Sequence, residues 1–459
     1  MKGYESKKNI YKRTYHPCTM IDIKILRENP ALIKENIRRK DQDHKLKLVD
    51  EILEYDKEIK EIRTEAESLR HRRNVLSEEI NKNKKEGKDI KHLLQEVKDI
   101  PEKIKIIEEK QTHIEEKINR NMMQIPNIIS EHVPTGKDGE DNVEIRRGGK
   151  IRTFDFPIKN HIEIAEGLGI ANWDASARVA GNGFYYLKGD LAILDQALIR
   201  FAIDFMLKKN YEYIEPPLML NEKAIYASMD KVAIEQSVYS IKDEDLNLIG
   251  TSEQAVLAMH TGETIPESEL PKKYFSYSMC FRKEIGAHGI NEKGLWRTHQ
   301  FNKVEQFIFC KPEDSEKLYD ELMDNSEKIL QALEIPYRII EICTGDLADW
   351  KFRSADLEVW RPTANAYGEV MSLSNCTEYQ ARKLGIKCID KQGNKRVLHT
   401  LNDTALATSR IMVAILENNQ NSDGTVTVPK VLVPYMHGKM VINSRKHHQA
   451  AFKEQIRDE

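Results

Sequence analysis

The sequence predicts an α+β protein, with an N-terminal antiparallel two-helix coiled-coil arm ahead of an antiparallel sheet flanked by helices. Its 459 residues exceed what one ordinary core needs, so two domains are expected. Residues 45–125 repeat apolar side chains at heptad spacing, which is typical of a coiled coil. From about residue 131 onward, short strand-like runs alternate with helical patterns, and their connections suit hairpins more than crossover helices.

The composition excludes several classes of protein. Hydrophobic residues make up 40% of the chain and charged residues 32%, which suits globular cores and not a membrane protein. No run approaches the roughly 18 apolar residues of a membrane-spanning helix. The net charge is −3, so any contact with nucleic acid is expected on a local basic face.

The cysteines indicate a reducing compartment. Six of them are scattered along the chain without a CxxC pair: Cys18, Cys280, Cys310, Cys343, Cys376 and Cys388. This spacing argues against both a structural zinc site and a disulfide framework. A cytoplasmic protein with reduced thiols is therefore expected.

Two heptad series predict the arm. The first runs from Leu48 to Ile80 and the second from Ile90 to Ile118, with charged residues between the apolar positions. Between them, residues 81–89 are polar and contain one glycine, which suits a turn. Pro101 is expected to kink or disturb the second helix. The arm domain is predicted to span residues 20–130.

Basic side chains cluster near the tip of this arm: Arg70, Arg72, Arg73, Lys82, Lys84, Lys85 and Lys88. They suit a phosphate backbone, but acidic residues interleave with them, and such a mixed face is usually only solvated. From the pattern alone, a coiled coil that binds a protein partner or spaces two domains fits equally well.

The second domain, predicted over residues 131–440, begins its core with an amphipathic helix over Gly189–Lys209. A strand over Asn210–Leu220, interrupted by two prolines, follows this helix. Apolar residues at helical spacing predict another helix over Asp403–Asn418. The remaining predicted strands are Lys273–Phe281, Phe301–Cys310, Tyr337–Cys343 and Gly368–Leu373.

The stretch from Cys280 to Phe307 carries the strongest chemical signal. Two apolar pieces flank a loop rich in Gly, Lys, Arg and His, and Arg282 and Arg297 stand at its two ends. A guanidinium fork binds phosphate or carboxylate in two places at once, so this hairpin could lay out a triphosphate along a sheet. Many surface hairpins with Arg and Gly bind nothing, and residue types alone do not separate these two interpretations.

This stretch, with FRKE and RTHQFNKVE around the loop, resembles motif 2 of class II aminoacyl-tRNA synthetases, in the form found in the seryl-tRNA synthetase family. Three further blocks resemble that family in the same order: GTSEQA from Gly250, GEVMSLSNCTEYQARKL from Gly368, and HTLNDTALATSRIMVAILENNQ from His399. The resemblance covers about residues 20 to 440 and implies a class II catalytic domain whose helix and strand over residues 189–220 form a homodimer contact.

The resemblance implies activation of L-serine by ATP with Mg²⁺. Arg282 would bridge the α-phosphate and the serine carboxylate, and Arg410 would hold the γ-phosphate, which makes these two the catalytic residues. Glu284, expected on the same strand face as Arg282, would hold the adenine end of ATP, and Phe301 would stack on adenine, although a core phenylalanine is the competing interpretation. The implied ATP-binding set is Arg282, Lys283, Glu284, Thr298, Phe301, Glu369, Val370, Met371, Ser372 and Arg410. Glu369 and Ser372 would contact the metal.

The implied serine pocket consists of Thr251, Ser252, Glu253, Arg282, Glu305 and Thr404. Glu253 would receive the ammonium group, and Glu305 and Thr404 the hydroxyl group. The chain departs from the family at Ser252, where alanine is common, at Met371, where serine is common, and at Asp403, where glycine is common. A glycine there suggests a positive-φ turn, which Asp tolerates better than most residues.

The implied partners are tRNA(Ser) and, since the family commonly also serves it, tRNA(Sec). The arm would cradle the long variable arm of the tRNA through phosphate contacts from Arg70, Arg72, Arg73, Lys84 and Lys85. A ligase that loads a carrier protein is a rival, but such relatives usually lack the arm. A non-catalytic RNA-binding paralogue is a second rival, but it would be expected to lose Arg282, Glu284, Glu369 or Arg410.

The termini fall outside the resemblance. Residues 1–19 are basic without an apolar core, so they are not a secretory signal. A disordered extension is expected, and an organellar targeting segment is the alternative. Residues 441–459 are expected to form a polar tail.

Overall fold

The computed structural model describes residues 21–229, 231–285 and 293–444. The chain divides into two compact units between Pro126 and Asn127, close to the expected boundary at residue 130. The expected extension over residues 1–19 and the tail beyond Ser444 lie outside the described residues. Among the described helices, none combines the length and apolar composition that crossing a membrane requires.

The first unit is helical. Its helices are α1 (Ile23–Glu28), α2 (Pro30–Arg39), α3 (Leu46–Lys85) and α4 (Lys91–Met122). The two long helices pack against each other along the predicted seam, where Ile52, Ile62 and Ile100 are almost fully buried. The predicted arm is confirmed in this respect. Helix α3 extends through residues 81–85 of the predicted turn, and α4 continues through Pro101 as one helix.

The second unit mixes helices and strands. Its helices are α5 (His161–Leu168), α6 (Trp173–Ala180), α7 (Asp190–Lys208), α8 (Glu222–Ser228), α9 (Lys231–Ser237), α10 (Ser252–Met259), α11 (Ser315–Ala332), α12 (Tyr379–Leu384) and α13 (Thr408–Asn418). Its strands are β1 (Val143–Gly148), β2 (Glu212–Tyr213), β3 (Met219–Leu220), β4 (Asn247–Leu248), β5 (Thr264–Pro266), β6 (Lys272–Phe281), β7 (Gln300–Cys310), β8 (Tyr337–Glu341), β9 (Arg353–Arg361), β10 (Ala366–Thr377), β11 (Lys387–Ile389), β12 (Lys395–Val397), β13 (His399–Ala407), β14 (Val426–Thr427) and β15 (Val441–Ile442).

The described strands form one large sheet in the order β1-β8-β9-β10-β13-β7-β6-β2. All neighbours are antiparallel except the β2–β6 pair at the edge, so the predicted α+β class with an antiparallel sheet is confirmed. The buried core contains Phe201 of α7, Leu357 of β9 and Ile411 of α13. Helices α7, α11 and α13 pack on the strands at the centre of the sheet, where the site lies.

One strand prediction and one helix prediction need correction. The expected strand over Asn210–Leu220 is divided into β2 and β3, and β3 pairs with β4 outside the main sheet. The predicted helix over Asp403–Asn418 begins only at Thr408, because residues 403–407 belong to strand β13. Asp403 is therefore extended and paired with Gln306, so the positive-φ turn suggested for that position is wrong.

The end of the second unit also differs from expectation. Val441 and Ile442, the first residues of the expected polar tail, form strand β15 and pair with β14. Ile442 is fully buried in the main core. The described part of the tail therefore belongs to the folded unit.

Candidate active site

A cavity of about 430 Å³ opens where β6, β7, β10 and β13 meet α10 and α13. It collects most of the residues that the sequence singled out. The sequence-predicted residues that line it are Thr251, Glu253, Arg282, Glu284, Thr298, Phe301, Glu305, Glu369, Val370, Ser372, Thr404 and Arg410. Four separate sequence blocks therefore converge on one cleft.

Three predicted residues have side chains elsewhere. Met371 is 1% exposed and packs in the main core. Ser252 is fully buried as the first residue of α10, and its hydroxyl oxygen has no hydrogen-bond partner among the described residues. Lys283 is outside the cavity lining, although its backbone N–H donates to the carbonyl oxygen of Ser237 at 2.9 Å.

Arg282 follows the last residue of β6. Its Nε donates to the Gly250 carbonyl oxygen at 3.0 Å, and its guanidinium carbon lies 5.3 Å from the centre of the Phe301 ring. The backbone N–H of Arg282 donates to the His299 carbonyl oxygen at 2.9 Å, and His299 Nδ1 lies 2.9 Å from the Arg282 carbonyl oxygen. These contacts give His299 a structural role, and they hold the Arg282 guanidinium at the edge of the cavity.

Glu284 is not on a strand, which corrects the prediction that it shares a strand face with Arg282. Strand β6 ends at Phe281, and Glu284 has a φ of 53°, in the left-handed region. Its Oε2 accepts a hydrogen bond from Arg297 Nη1 at 3.1 Å. A turn, not strand alternation, brings this carboxylate into the cavity wall.

Arg410 lies in the first turn of α13 on the opposite wall. Its Nη1 donates to the Glu369 carbonyl oxygen at 2.7 Å and lies 3.3 Å from Glu369 Oε2. Its Nε donates to the Trp296 carbonyl oxygen at 3.3 Å, and its guanidinium carbon lies 5.4 Å from the Trp296 ring centre. Contacts with Glu369 and Trp296 thus hold the side chain in the cavity wall.

A β-bulge brings Glu369 and Ser372 to the same face. Residues three apart on a regular strand point to opposite faces, but the register of β10 against β9 shifts between Glu369 and Met371. Both side chains consequently line the cavity. Burial opposes the charged form of Glu369, but the guanidinium groups of Arg410 and Arg282 outweigh it and lower the pKa of Glu369.

Lys351 also lines this wall, and Asp356 lies beside it on β9; neither was predicted. Asp356 pairs with Ser372 across the strands, and its Oδ1 has no hydrogen-bond partner among the described residues. Burial, together with the nearby charge of Glu369, raises the pKa of Asp356. Lys351 Nζ donates to Ser354 Oγ at 3.0 Å and to Ser372 Oγ at 3.4 Å. Within the described residues no group of three or more His, Cys, Asp or Glu side chains is placed to hold a metal alone.

The predicted serine pocket lies at the inner end of the cavity. Glu305 of β7 faces Thr404 of β13, and Thr404 Oγ1 lies 3.3 Å from Glu305 Oε2. Lys303 Nζ lies 2.6 Å from the same carboxylate oxygen, with both side chains almost completely buried. Lys303 was not predicted, but its place between Phe301 and Glu305 in strand alternation puts all three on one face, which is a signal the sequence contains.

Glu253 forms the other side of this pocket. Its Oε1 accepts hydrogen bonds from Gln380 Nε2 at 2.7 Å and from Asn402 Nδ2 at 3.1 Å. Burial and the charge of Glu305 raise the pKa of Glu253 to about 7. Thr251 caps helix α10 next to it, and its hydroxyl oxygen accepts from the Glu253 backbone N–H at 3.3 Å. A carboxylate beside a Glu–Thr pair suits a small amino acid with a hydroxyl side chain.

The basic residues predicted on the arm divide into two groups. Arg70 pairs with Glu108 at 2.8 Å and Arg72 with Glu96 at 2.8 Å, so both join α3 to α4. The others, Arg73, Lys84 and Lys85, are exposed, and the two lysines lie in the last turn of α3. The second group is therefore better placed than the first to contact an external phosphate backbone.

Comparisons with known proteins agree with this geometry. Residues 20–129 match the family described as the seryl-tRNA synthetase N-terminal domain, and residues 237–419 match the tRNA synthetase class II core domain (G, H, P, S and T). A protein named serine–tRNA ligase from Methanocella arvoryzae is 45% identical over 421 residues, which are 91% of this chain and 99% of that protein.

Two solved structures are similar over nearly the whole chain. Seryl-tRNA synthetase from Pyrococcus horikoshii, complexed with ATP, is 40% identical with a TM-score of 0.89, over 92% of this chain and 99% of that one. Cytoplasmic serine–tRNA ligase from Naegleria fowleri, in complex with AMP, is 33% identical with a TM-score of 0.85, over 93% and 99% of the two chains.

An antiparallel sheet with an arginine from the end of β6 and another from α13 on one cavity defines the catalytic core of a class II aminoacyl-tRNA synthetase. Within that class, the matched N-terminal domain and the similar proteins all indicate seryl-tRNA synthetases. The chain belongs to the seryl-tRNA synthetase family.

Proposed function

We propose that this protein is a serine–tRNA ligase, which activates L-serine with ATP and transfers the seryl group to the 3′ end of tRNA(Ser). In the first step a serine carboxylate oxygen attacks the α-phosphorus, the bond from that phosphorus to the pyrophosphate oxygen breaks, and seryl-adenylate forms. In the second step a hydroxyl of the terminal adenosine attacks the seryl carbonyl carbon and AMP leaves. The convergence of Arg282 and Arg410 with the Glu305–Thr404 pair in one cavity carries the proposal.

Arg282 brings the two reacting anions together. The Gly250 contact fixes its Nε, and the two terminal nitrogens supply a donor fork for the serine carboxylate and the α-phosphate. Two anions repel each other in a cleft, so a fixed positive charge between them lowers the barrier both by orientation and by charge stabilisation. The protein supplies no nucleophile of its own in this scheme.

The rest of the nucleotide extends along the cavity. Arg410, held by Glu369 and Trp296, binds the γ-phosphate. Adenine stacks on Phe301, with Glu284 at its polar edge and Thr298 beside it. Val370 lines the same wall, whereas Lys283 and Met371 contribute only backbone groups, because their side chains do not line the cavity.

The inner pocket selects serine. Glu253 binds the ammonium group, with Thr251 next to it, while Glu305 and Thr404 bind the hydroxyl group. Alanine makes no hydrogen bond to this buried pair, so it lacks the contacts that the serine hydroxyl would make there and is disfavoured. Ser252 is buried behind the pocket and acts only by packing.

Glu369 and Ser372 are the residues that would hold Mg²⁺. The fit rests on the bulge that puts both on the cavity face, on the lowered pKa of Glu369, and on the unpartnered Oδ1 of Asp356 beside Ser372. Two protein oxygens with the balance from phosphate and water match the preference of this ion. A bound Mg²⁺ supplies charge neutralisation at the phosphate oxygens.

The helical arm is the proposed tRNA-binding element. Arg73, Lys84 and Lys85 contact phosphates of the tRNA, and Arg70 and Arg72 support the arm through their interhelical pairs. Recognition of this type reads shape and backbone and not base identity. For that reason the proposal extends to tRNA(Sec), which a charging assay with that tRNA tests.

We also propose a homodimer in the cytoplasm. Apolar side chains on helix α7 and edge strand β1 are exposed in the single chain, with Leu207 50% exposed and Val143 and Ile145 each 46% exposed. Light scattering in solution tests the dimer. The compartment is supported by Cys280, Cys310, Cys343, Cys376 and Cys388, which are buried free thiols.

Pyrophosphate–ATP exchange that depends on serine tests the activation step. Exchange is expected with serine, and weaker exchange with threonine and alanine. The variant Arg282→Ala is expected to abolish it, whereas Arg396→Ala, which removes an exposed arginine paired with Glu313, is expected to leave it unchanged. Exchange supported by another amino acid and not by serine would contradict the proposal.

A further inference from the structure

A buried histidine–glutamate pair lies behind the nucleotide wall and outside the cavity described above. His161, the first residue of α5, is 6% exposed, and Glu417 of α13 is fully buried. His161 Nδ1 lies 3.0 Å from Glu417 Oε1, and Thr363 Oγ1 donates to Glu417 Oε2 at 2.8 Å. Burial opposes the charged form of Glu417, but the hydrogen bonds from His161 and Thr363 outweigh it and lower the pKa of Glu417.

The other ring nitrogen of this histidine holds a backbone amide. The N–H of Leu295 donates to His161 Nε2 at 3.3 Å, so Nε2 is the acceptor and Nδ1 carries the proton that goes to Glu417. Leu295 is fully buried in the main core. The next two residues, Trp296 and Arg297, line the nucleotide cavity.

The close approach of the ring requires glycine at the preceding position. Gly294 has a φ of +122°, and a Cβ placed on it would lie 2.4 Å from His161 Nε2. Both the backbone conformation and the contact exclude a larger residue there without a shift. The imidazole is therefore fitted closely against the backbone of residues 294–295.

Helix α13 holds the same segment at two points. Arg410 Nε donates directly to the Trp296 carbonyl oxygen at 3.3 Å. Two helical turns further on, Glu417 acts through His161 on the Leu295 amide. One rigid helix thus sets the position of Trp296 from both sides of the residue.

We propose that His161 is a positioning residue for nucleotide binding, whose Nε2 fixes the Leu295 amide and thereby places Trp296 and Arg297 against ATP. Glu417 orients the imidazole and selects its tautomer. Arg297 in turn pairs with Glu284. A displacement of the Leu295 backbone would therefore also displace the residues at the adenine end of the cavity. This inference rests on the proposed function, because it assigns a nucleotide to the cavity.

Two substitutions of His161 distinguish the roles of its two ring nitrogens. In His161→Asn the amide nitrogen takes the place of Nδ1 and keeps the donor to Glu417, but the acceptor for Leu295 is lost. In His161→Gln the longer side chain puts an amide oxygen near the place of Nε2 and keeps that acceptor. The KM for ATP is expected to rise about tenfold in His161→Asn and at most about threefold in His161→Gln, which correspond to roughly 1.4 and 0.6 kcal/mol. The KM for serine is expected to stay within about twofold of wild type in both.

The readouts are pyrophosphate exchange at varied ATP and varied serine, the Kd of ATP by calorimetry, and the Tm of each variant. A rise in KM and Kd that is confined to ATP, and is larger for His161→Asn than for His161→Gln, supports the proposal. Equal effects of the two variants, or parallel rises in both KM values, would overturn it. If neither variant folds, Gly294→Ala decides, because it keeps both the His161 and the Glu417 side chains while its Cβ pushes the imidazole away from the Leu295 amide: a selective rise in the Kd of ATP supports the proposal and an unchanged Kd overturns it. The two proposals can fail separately. If the wild-type enzyme shows no serine-dependent exchange, but the Kd of ATP changes in the variants as stated, only the proposed function is refuted.

Discussion

Glu305 and Thr404 face each other on adjacent antiparallel strands, with Thr404 Oγ1 3.3 Å from Glu305 Oε2 at the bottom of the cavity. The register of β13 against β7 shifts immediately after Thr404, so a bulge sets the direction of its side chain. Lys303 holds the same carboxylate oxygen from the other side. The pair forms a small polar surface at the bottom of the cavity that can hydrogen-bond a hydroxyl group. The methyl side chain of alanine makes no such hydrogen bond.

Replacing Thr404 with valine, which keeps the shape and removes the hydroxyl, is expected to lower kcat/KM for serine by about 10-fold to 100-fold. The loss follows because the serine hydroxyl and Glu305 each lose a partner in a buried site. Steady-state exchange kinetics measure it, with alanine as the internal control. If alanine activation falls by the same factor as serine activation, Thr404 does not read the hydroxyl group.

The rate of serine activation is expected to depend on the ionisation of Glu253. Its pKa is raised to about 7, so the carboxyl is mostly neutral below that pH and charged above it. Only the charged form attracts the serine ammonium group, so kcat/KM for serine should rise about tenfold from about pH 6 to about pH 8 and then level off. The pH profile of exchange at low serine concentration provides the measurement.

The matched control for this profile is Glu253→Gln, which keeps the size and the hydrogen-bond acceptor and cannot ionise. It should lower kcat/KM at high pH and flatten the profile. A variant that keeps the wild-type rise between pH 6 and 8 would assign the titration to another group.

Replacing Arg282 with lysine keeps the charge but loses the planar fork. We expect exchange to fall at least about 100-fold, because one ammonium group cannot bridge a carboxylate and a phosphate in two directions. Single-turnover formation of adenylate measures the loss. The same substitution at Arg396, an exposed residue on β12, should change nothing, and a comparable loss there would point to a general defect.

Reversal of charge at Lys84 and Lys85 is expected to weaken tRNA binding and not serine activation. Both lysines are exposed at the end of α3. The KM for tRNA should rise about tenfold or more, and the dependence of binding on salt should become shallower as phosphate contacts are lost. Filter binding at several salt concentrations tests this.

The same double reversal at Lys387 and Lys395, exposed on β11 and β12, gives the control with equal net charge. It should leave tRNA affinity unchanged. If both double variants weaken tRNA binding equally, the effect comes from the total charge of the protein and not from the arm.

The arm was predictable because its pattern is local. Heptad spacing from Leu48 to Ile118 specifies a seam without knowledge of the remaining chain, and the buried residues of α3 and α4 follow it. The end of α3 was less predictable, because the polar residues 81–85 fit an exposed helix end as well as a turn.

Strand β13 shows where the pattern fails. It is buried along almost its whole length, and buried polar residues such as Asn402 and Asp403 lie among apolar ones, so no regular alternation marks it as a strand. Its residues 403–407 run on directly into α13, and the sequence predicted one helix over Asp403–Asn418. Tertiary burial, and not local propensity, decides where the strand ends.

The cavity was predictable as a set of residues but not as a geometry. The bulge next to Glu369 and the left-handed turn at Glu284 depend on pairing and packing that no short motif encodes. Lys351 and Gln380 were missed for a similar reason, since their contacts with Ser372 and Glu253 join residues that are far apart in the sequence.

The structure of the protein with a non-hydrolysable seryl-adenylate analogue is the most direct measurement. The account predicts the phosphate within hydrogen-bond distance of the Arg282 guanidinium, adenine against the Phe301 ring, and the seryl hydroxyl between Glu305 and Thr404. An analogue bound elsewhere, or one whose seryl end points away from Glu305, would contradict it.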